Sequence, residues 1–156
     1  MKVTILSVGH KMPAWIQEGF QEYVRRMPPE IRVELLELKP EERGAGRGAD
    51  RAKSIEGERI LAALPAGAAL IALDARGKGV STQGLSVMLA AWMRDGSHPA
   101  FVIGGADGLS EAVKNRADKL VSLSALTLPH GLARVLLAEQ LYRAWSILAR
   151  HPYHRE

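Results

Sequence analysis

The chain has 156 residues, the size of one domain, and is long enough to bury a core without covalent staples. Hydrophobic residues at 47% and charged residues at 24% exclude a disordered or fibrous chain, and zero cysteines exclude a disulfide framework, a thiolate metal site and a cysteine nucleophile. The formal charge is only +4, but from Lys119 onward five basic residues (Lys119, Arg134, Arg143, Arg150, Arg155) meet two acidic ones (Glu139, Glu156), an end that suits a polyanion such as RNA.

In chain order, residues 3–9 form a continuous β-branched run ending in glycine, a first strand rather than a signal peptide. Pro13 opens a helix whose Trp15, Ile16, Phe20, Tyr23, Val24 and Met27 share one face, and Pro28-Pro29 stops it. Ile31, Val33, Leu35 and Leu38 nearly alternate with charges, which predicts a half-exposed strand. Residues 41–48 (EERGAGRG) read as a flexible loop. A helix over about residues 50–64 and a buried strand over 68–73 follow. The second half predicts a helix at 82–94, a short strand at 101–103, and a helix at 110–117 capped by Ser110. A last strand over 120–126 and a long helix over 132–150 complete the series. No apolar stretch is long enough to cross a bilayer, so a cytoplasmic protein is expected. Alternating strands and helices imply an α/β fold: an open, mostly parallel sheet with helices on both faces.

In such sheets ligands bind beyond the carboxyl ends of the strands. Three strands here run into segments suited to close backbone approach: Asp74-Ala75-Arg76-Gly77-Lys78-Gly79, Gly104-Gly105-Ala106-Asp107-Gly108, and the stretch from Leu123 to His130. There is no phosphate loop of the G-x-x-x-x-G-K-S/T type, and no G-x-G-x-x-G follows the first strand. The glycine loops sit in the C-terminal half instead.

Four segments, VGHKMPAWIQEGFQEY (8–23), FVIGGADGLS (101–110), SLSALTLPH (122–130) and LYRAWSILARHPYHRE (141–156), together resemble the RlmH group of the SPOUT methyltransferases over essentially the whole chain. The resemblance implies a single SPOUT methyltransferase domain over residues 1–156 with a C-terminal trefoil knot, an exception to the rule that chains do not thread loops. It implies S-adenosylmethionine as methyl-donor cosubstrate with no metal. It also implies a homodimer with a composite active site, and N3 methylation of a pseudouridine in 23S ribosomal RNA within the ribosome or its large subunit. The donor site it implies comprises Leu73, Gly104, Leu123, Ser124, Ala125, Leu126, Thr127 and Leu128, shaped by Gly105 and Gly108. Backbone groups of residues 123–128 would meet the adenine, and Leu73 would pack on an apolar face. Ala106-Asp107 departs from the Pro-Glu expected of relatives, a change in loop stiffness more than in chemistry.

The acceptor side falls on the last helix and the tail. An imide N3 is a poor nucleophile until its proton leaves, and nearby positive charge steadies the resulting anion. His154 and Arg155 can supply those functions, Tyr153 can position the base, and Arg143 can reach phosphate or pair with Glu139 at i, i+4. His130 reads as a loop or helix-start contact. His151 and His154 do not read as a metal pair, because Pro152 breaks any helix and no third ligand is evident. Leu136, Leu137, Leu141, Trp145 and Leu148 wrap past a third of the last helix, more than one sheet face covers, which suggests a partner subunit whose tail reaches the donor pocket. Three other classes stay open: a ribosome-binding factor without catalysis, a knotted enzyme acting on transfer RNA, and a nucleotide hydrolase with magnesium on Asp74 and Asp107.

Overall fold

Successive strand side chains point to opposite faces, and the apolar runs of this chain fill both. The computed structural model describes residues 1–43 and 48–155, so residues 44–47 of the expected flexible loop and Glu156 of the tail lie outside the described residues. Strands β1 (Lys2–Val8), β2 (Arg32–Leu38), β3 (Ala69–Gly79), β4 (Pro99–Ile103) and β5 (Lys119–Ser122) form one sheet in the order β2-β1-β4-β3-β5. All four pairings are parallel. Helices α1 (Ala14–Val24), α3 (Thr82–Asp95) and α5 (His130–Leu148) cover one face, where Val3, Ile5, Ile71, Phe101 and Leu137 pack. Helices α2 (Ala49–Ala63) and α4 (Glu111–Arg116) cover the other, over Leu6, Val8, Leu70, Val102 and Val113. Among the described residues no helix is long and apolar enough to cross a membrane.

The caps act as their residue types predict. Ser81 Oγ accepts from Gly84 N at 2.9 Å and Ser110 Oγ from Val113 N at 3.3 Å, while Gly96 ends α3 at φ 68°.

Four expectations need correction. Trp15 is 59% exposed rather than turned inward with Ile16 and Phe20, because it sits at the edge of the α1 stripe. β3 continues through the expected glycine loop: both Leu73 and Lys78 register with Val121, so residues 74–77 bulge out between two pairings. Gly77 serves that bulge, since a Cβ there would lie 2.7 Å from Val121 N and 2.8 Å from the Leu120 carbonyl carbon. β5 stops at Ser122 rather than at residue 126. Ser122 Oγ donates to the Ser124 carbonyl (2.9 Å) and Ser124 Oγ accepts from Leu126 N (2.8 Å), and these local bonds replace the ladder. Finally, Arg134 is not part of a basic surface. It is 2% exposed and donates to Glu37 (2.7 Å), Ser7 Oγ (3.1 Å) and the Gly9 carbonyl (3.0 Å), tying α5 to the ends of β1 and β2.

Candidate functional site

Because β4, β3 and β5 are parallel neighbours, the carboxyl ends of β4 and β5 and the start of the β3 bulge bring Gly104, Leu123 and Leu73 side by side on one sheet edge. Two adjoining hollows lie there. One, of about 140 Å³, is lined by Leu73, Asp74, Leu123, Ser124, Leu126, Thr127 and Leu128. The other, of about 300 Å³, is lined by Leu73, Asp74, Gly104, Gly105, Gly108, Leu128 and His130. Every residue assigned to the donor lines one or both except Ala125, which is exposed on the outside of the turn.

The glycines are required by contact, not only by turning. A Cβ on Gly104 would lie 2.8 Å from the carbonyl carbon of Gly108, 2.9 Å from its oxygen and 3.0 Å from Leu109 Cδ2. Gly108 adopts φ +82°, and its N–H donates to the Gly105 carbonyl at 3.1 Å, folding residues 104–108 into a tight hairpin. The glycines leave backbone on one side of the hollow, Leu73, Ile103, Leu128 and Ala133 are its apolar lining, and Asp74, Arg76 and His130 its polar one.

Asp74 and Asp107, the magnesium candidates of the hydrolase reading, are both engaged by cations. Asp74 pairs with Lys114 (3.5 Å) and Arg76 (3.9 Å), and Asp107 pairs with Arg43.

His130 is a helix-start contact, as the sequence predicts, and it belongs to a hollow as well. It is the first residue of α5 and lines the larger hollow, with its Cε1–Nδ1 edge against Gly9, where a Cβ would come within 3.1 Å. Its place directly after the 123–128 loop was the available signal. Nδ1 is buried and makes no hydrogen bond among the described residues. Burial first, and the Arg134 charge second, hold the imidazole below its ordinary range, against a smaller opposing pull from Glu56. The unfolded chain therefore takes up this proton at higher pH than the folded one, so stability falls as pH drops through about 6.5. His130→Gln is expected to flatten this acid-side loss, read as Tm between neutral pH and about pH 5. An unchanged slope would contradict it.

The tail is tied down. The Tyr153 ring packs 4.6 Å from the Tyr142 ring, and the Arg143 guanidinium lies 4.8 Å from its centroid. Glu139 receives Arg143 Nε at 2.6 Å and the Tyr153 hydroxyl at 3.4 Å, so the expected i, i+4 pair is present and extends to the tail. Burial, followed by the Glu139 charge, pushes the Tyr153 phenol above its usual range and keeps it protonated. Hydrogen bonding to Glu139 likewise raises Arg143. Arg143, His154 and Arg155 line one cavity of about 450 Å³ with Thr82 and Gln83. His154 Nδ1 is buried there with no hydrogen-bond partner among the described residues.

The acceptor candidates thus come together, and so do the donor candidates, but the two cavities share no lining residue. Between them lies a further hollow that shares Thr82 with the tail cavity and Leu123 and Ser124 with the donor side. On α5, Leu132 and Leu148 stay 37% and 39% exposed, while Leu137 and Leu141 are fully buried within the chain.

Comparison with known proteins agrees with this geometry. The family described as "Predicted SPOUT methyltransferase" matches residues 1–154. The chain is 59% identical over 155 residues, 99% of either chain, to the protein named ribosomal RNA large subunit methyltransferase H in Burkholderia ambifaria (strain MC40-6). It is equally similar to the protein of that name in Ralstonia pickettii (strain 12J). Among solved structures, a probable methyltransferase from Bordetella pertussis Tohama I shares the fold, with a TM-score of 0.59 at 15% identity over 91% of this chain and 95% of that one. A probable methylase family protein from Haemophilus influenzae Rd KW20 aligns with a TM-score of 0.58 at 12% identity, over 99% of this chain and 70% of that one.

Proposed function

The chain belongs to the SPOUT methyltransferase family and, within it, to the ribosomal RNA large subunit methyltransferase H group, and from that premise we propose that it methylates N3 of a pseudouridine in 23S ribosomal RNA, with S-adenosylmethionine as donor. The observation that carries this reading is the convergence of Leu73, the 104–108 hairpin and the 123–128 loop on one edge of a parallel sheet. The hollows combine leucine side chains with the glycines of the 104–108 hairpin and the backbone of the 123–128 loop, a fit for a flat heterocycle whose edge is met by main-chain N–H and C=O groups. Leu73 and Leu128 offer apolar contact, and the 104–108 hairpin closes the far side. The donor, when bound, supplies an electrophilic methyl group that needs alignment more than activation.

The chain's own residues serve the acceptor. His154 takes the N3 proton, Arg155 steadies the resulting anion, and Tyr153, held by Tyr142, Arg143 and Glu139, positions the base. The separation of the two cavities within one chain leads to the dimeric part of the proposal: the tail of one subunit completes the donor pocket of its partner. A trefoil knot at the C-terminal crossings and a cytoplasmic location, where the ribosome is found, belong to the same reading. In this reading the assembled ribosome or large subunit presents the target.

The test is incubation with labelled S-adenosylmethionine and ribosomes from a strain lacking the enzyme, followed by mass-spectrometric mapping of the labelled nucleotide. One modified pseudouridine in large-subunit RNA is expected, with far less label on naked RNA. Salt-sensitive RNA binding without incorporation would favour a binding factor and overturn the proposal.

A further inference from the structure

Beneath the donor hairpin lies an ion cluster that the proposed chemistry does not use. Glu56, on α2, is 2% exposed, and its Oε1 would be 3.2 Å from a Cβ on Gly105, so the carboxylate sits directly under the hairpin. Among the described residues it pairs with Arg43, at the end of the segment leaving β2: Nη1 reaches Oε2 and Nη2 reaches Oε1, both at 3.0 Å, a two-pronged pair. Glu41 N also donates to Oε2 at 2.9 Å, and Arg43 Nη1 donates to the Glu41 carbonyl at 2.9 Å. The third guanidinium nitrogen, Nε, turns outward and donates to Asp107, at the tip of the hairpin. One guanidinium therefore grips the hairpin twice, through the buried carboxylate below Gly105 and through the exposed carboxylate at its tip. Arg43 is held protonated, first by Glu56 and then by Asp107.

We propose that Arg43, Glu56 and Asp107 form a clamp that holds the 104–108 hairpin in its donor-receiving shape, and so set the affinity for S-adenosylmethionine without touching it. The inference rests on this edge being the donor site. It makes all three positioning residues. It also assigns a role to the acidic group at position 107, where the hairpin otherwise offers only Ala106 and glycines to solvent.

The probe is Asp107→Asn, because removing Arg43 would strand the Glu56 carboxylate in the core and compromise folding. Asp107→Asn cuts the tip contact and leaves the buried pair intact. Calorimetric titration with S-adenosylmethionine is expected to show binding weakened about fivefold, with the donor KM raised by the same factor and kcat at saturating donor unchanged. Amide exchange at Gly108, whose N–H closes the hairpin, is expected to quicken about tenfold, and Asp107→Glu to restore both readouts. A merely structural ion pair would lower Tm and leave donor KM where it was. Wild-type affinity and wild-type Gly108 exchange in Asp107→Asn overturn the clamp. Wild-type protein that ignores the donor overturns instead the reading of the edge on which the clamp depends.

Discussion

His154→Ala is expected to slow methylation under single turnover by about 100-fold or more, while S-adenosylmethionine binds as it does to the unaltered protein. The imidazole lines the tail cavity with Arg143 and Arg155, and its buried Nδ1 makes no hydrogen bond among the described residues. Losing a proton acceptor at the imide leaves a nucleophile that is nearly all protonated, and general-base contributions of this kind are worth about 10²–10⁴ in rate. The neighbouring Tyr153 is anchored independently, by Tyr142, Arg143 and Glu139, so the truncation leaves the tail in place. Unchanged single-turnover methylation would remove His154 from the role and leave Arg155 as the group to examine.

Gly104→Ala acts on the opposite half of the site. The added methyl would press on the backbone of Gly108 at 2.8–2.9 Å, and backbone cannot swing aside as a side-chain end can. Either the hairpin opens or the strand end shifts; overpacking of this kind costs about 1–3 kcal/mol, or roughly 5–150-fold in donor affinity. Gly67→Ala is the control. Gly67, unlike Gly104, has positive φ (74°), but it stands in open space before β3, at the other edge of the sheet. It should cost about 1 kcal/mol of stability and leave the donor Kd unaltered. Calorimetry with S-adenosylmethionine on both variants separates site from stability, and equal losses in the two would contradict the assignment of Gly104.

Much of this was legible in the sequence because period and punctuation agree. β-branched and aliphatic runs such as residues 3–8 and 99–103 have no helical stripe, and serines with the right spacing mark the starts of α3 and α4. The rule that ligands sit at the carboxyl ends of parallel strands then selected the 104–108 and 123–128 loops before any strand order was available. The order itself adds what local pattern cannot: β3 lies between β4 and β5, so these loops adjoin. Elsewhere, long-range partners decided. Gly77 looks like a ligand-facing glycine but faces the β5 backbone, 2.7 Å from Val121 N. Arg134 looks like a surface cation until Glu37, Ser7 and Gly9, about a hundred residues away in the chain, enclose it. The apolar 123–126 segment reads as strand until the Ser122 and Ser124 hydroxyls claim its backbone. His130 gave no signal of pocket membership beyond its position after Pro129, because its surroundings come from β1 and β4.

The proposed division of one reaction between two subunits is tested most directly by mixing two impaired variants, at a donor concentration too low to fill the Gly104→Ala hollow. Equilibrating Gly104→Ala protein with His154→Ala protein forms mixed dimers that pair one intact donor hollow with one intact tail. Equal mixing with random exchange should recover about a quarter of the unaltered methylation rate, since half the dimers are mixed and each carries one whole site. A mixture that stays as inactive as its components, with exchange verified by native mass spectrometry, would place donor and tail in the same chain and contradict the shared site.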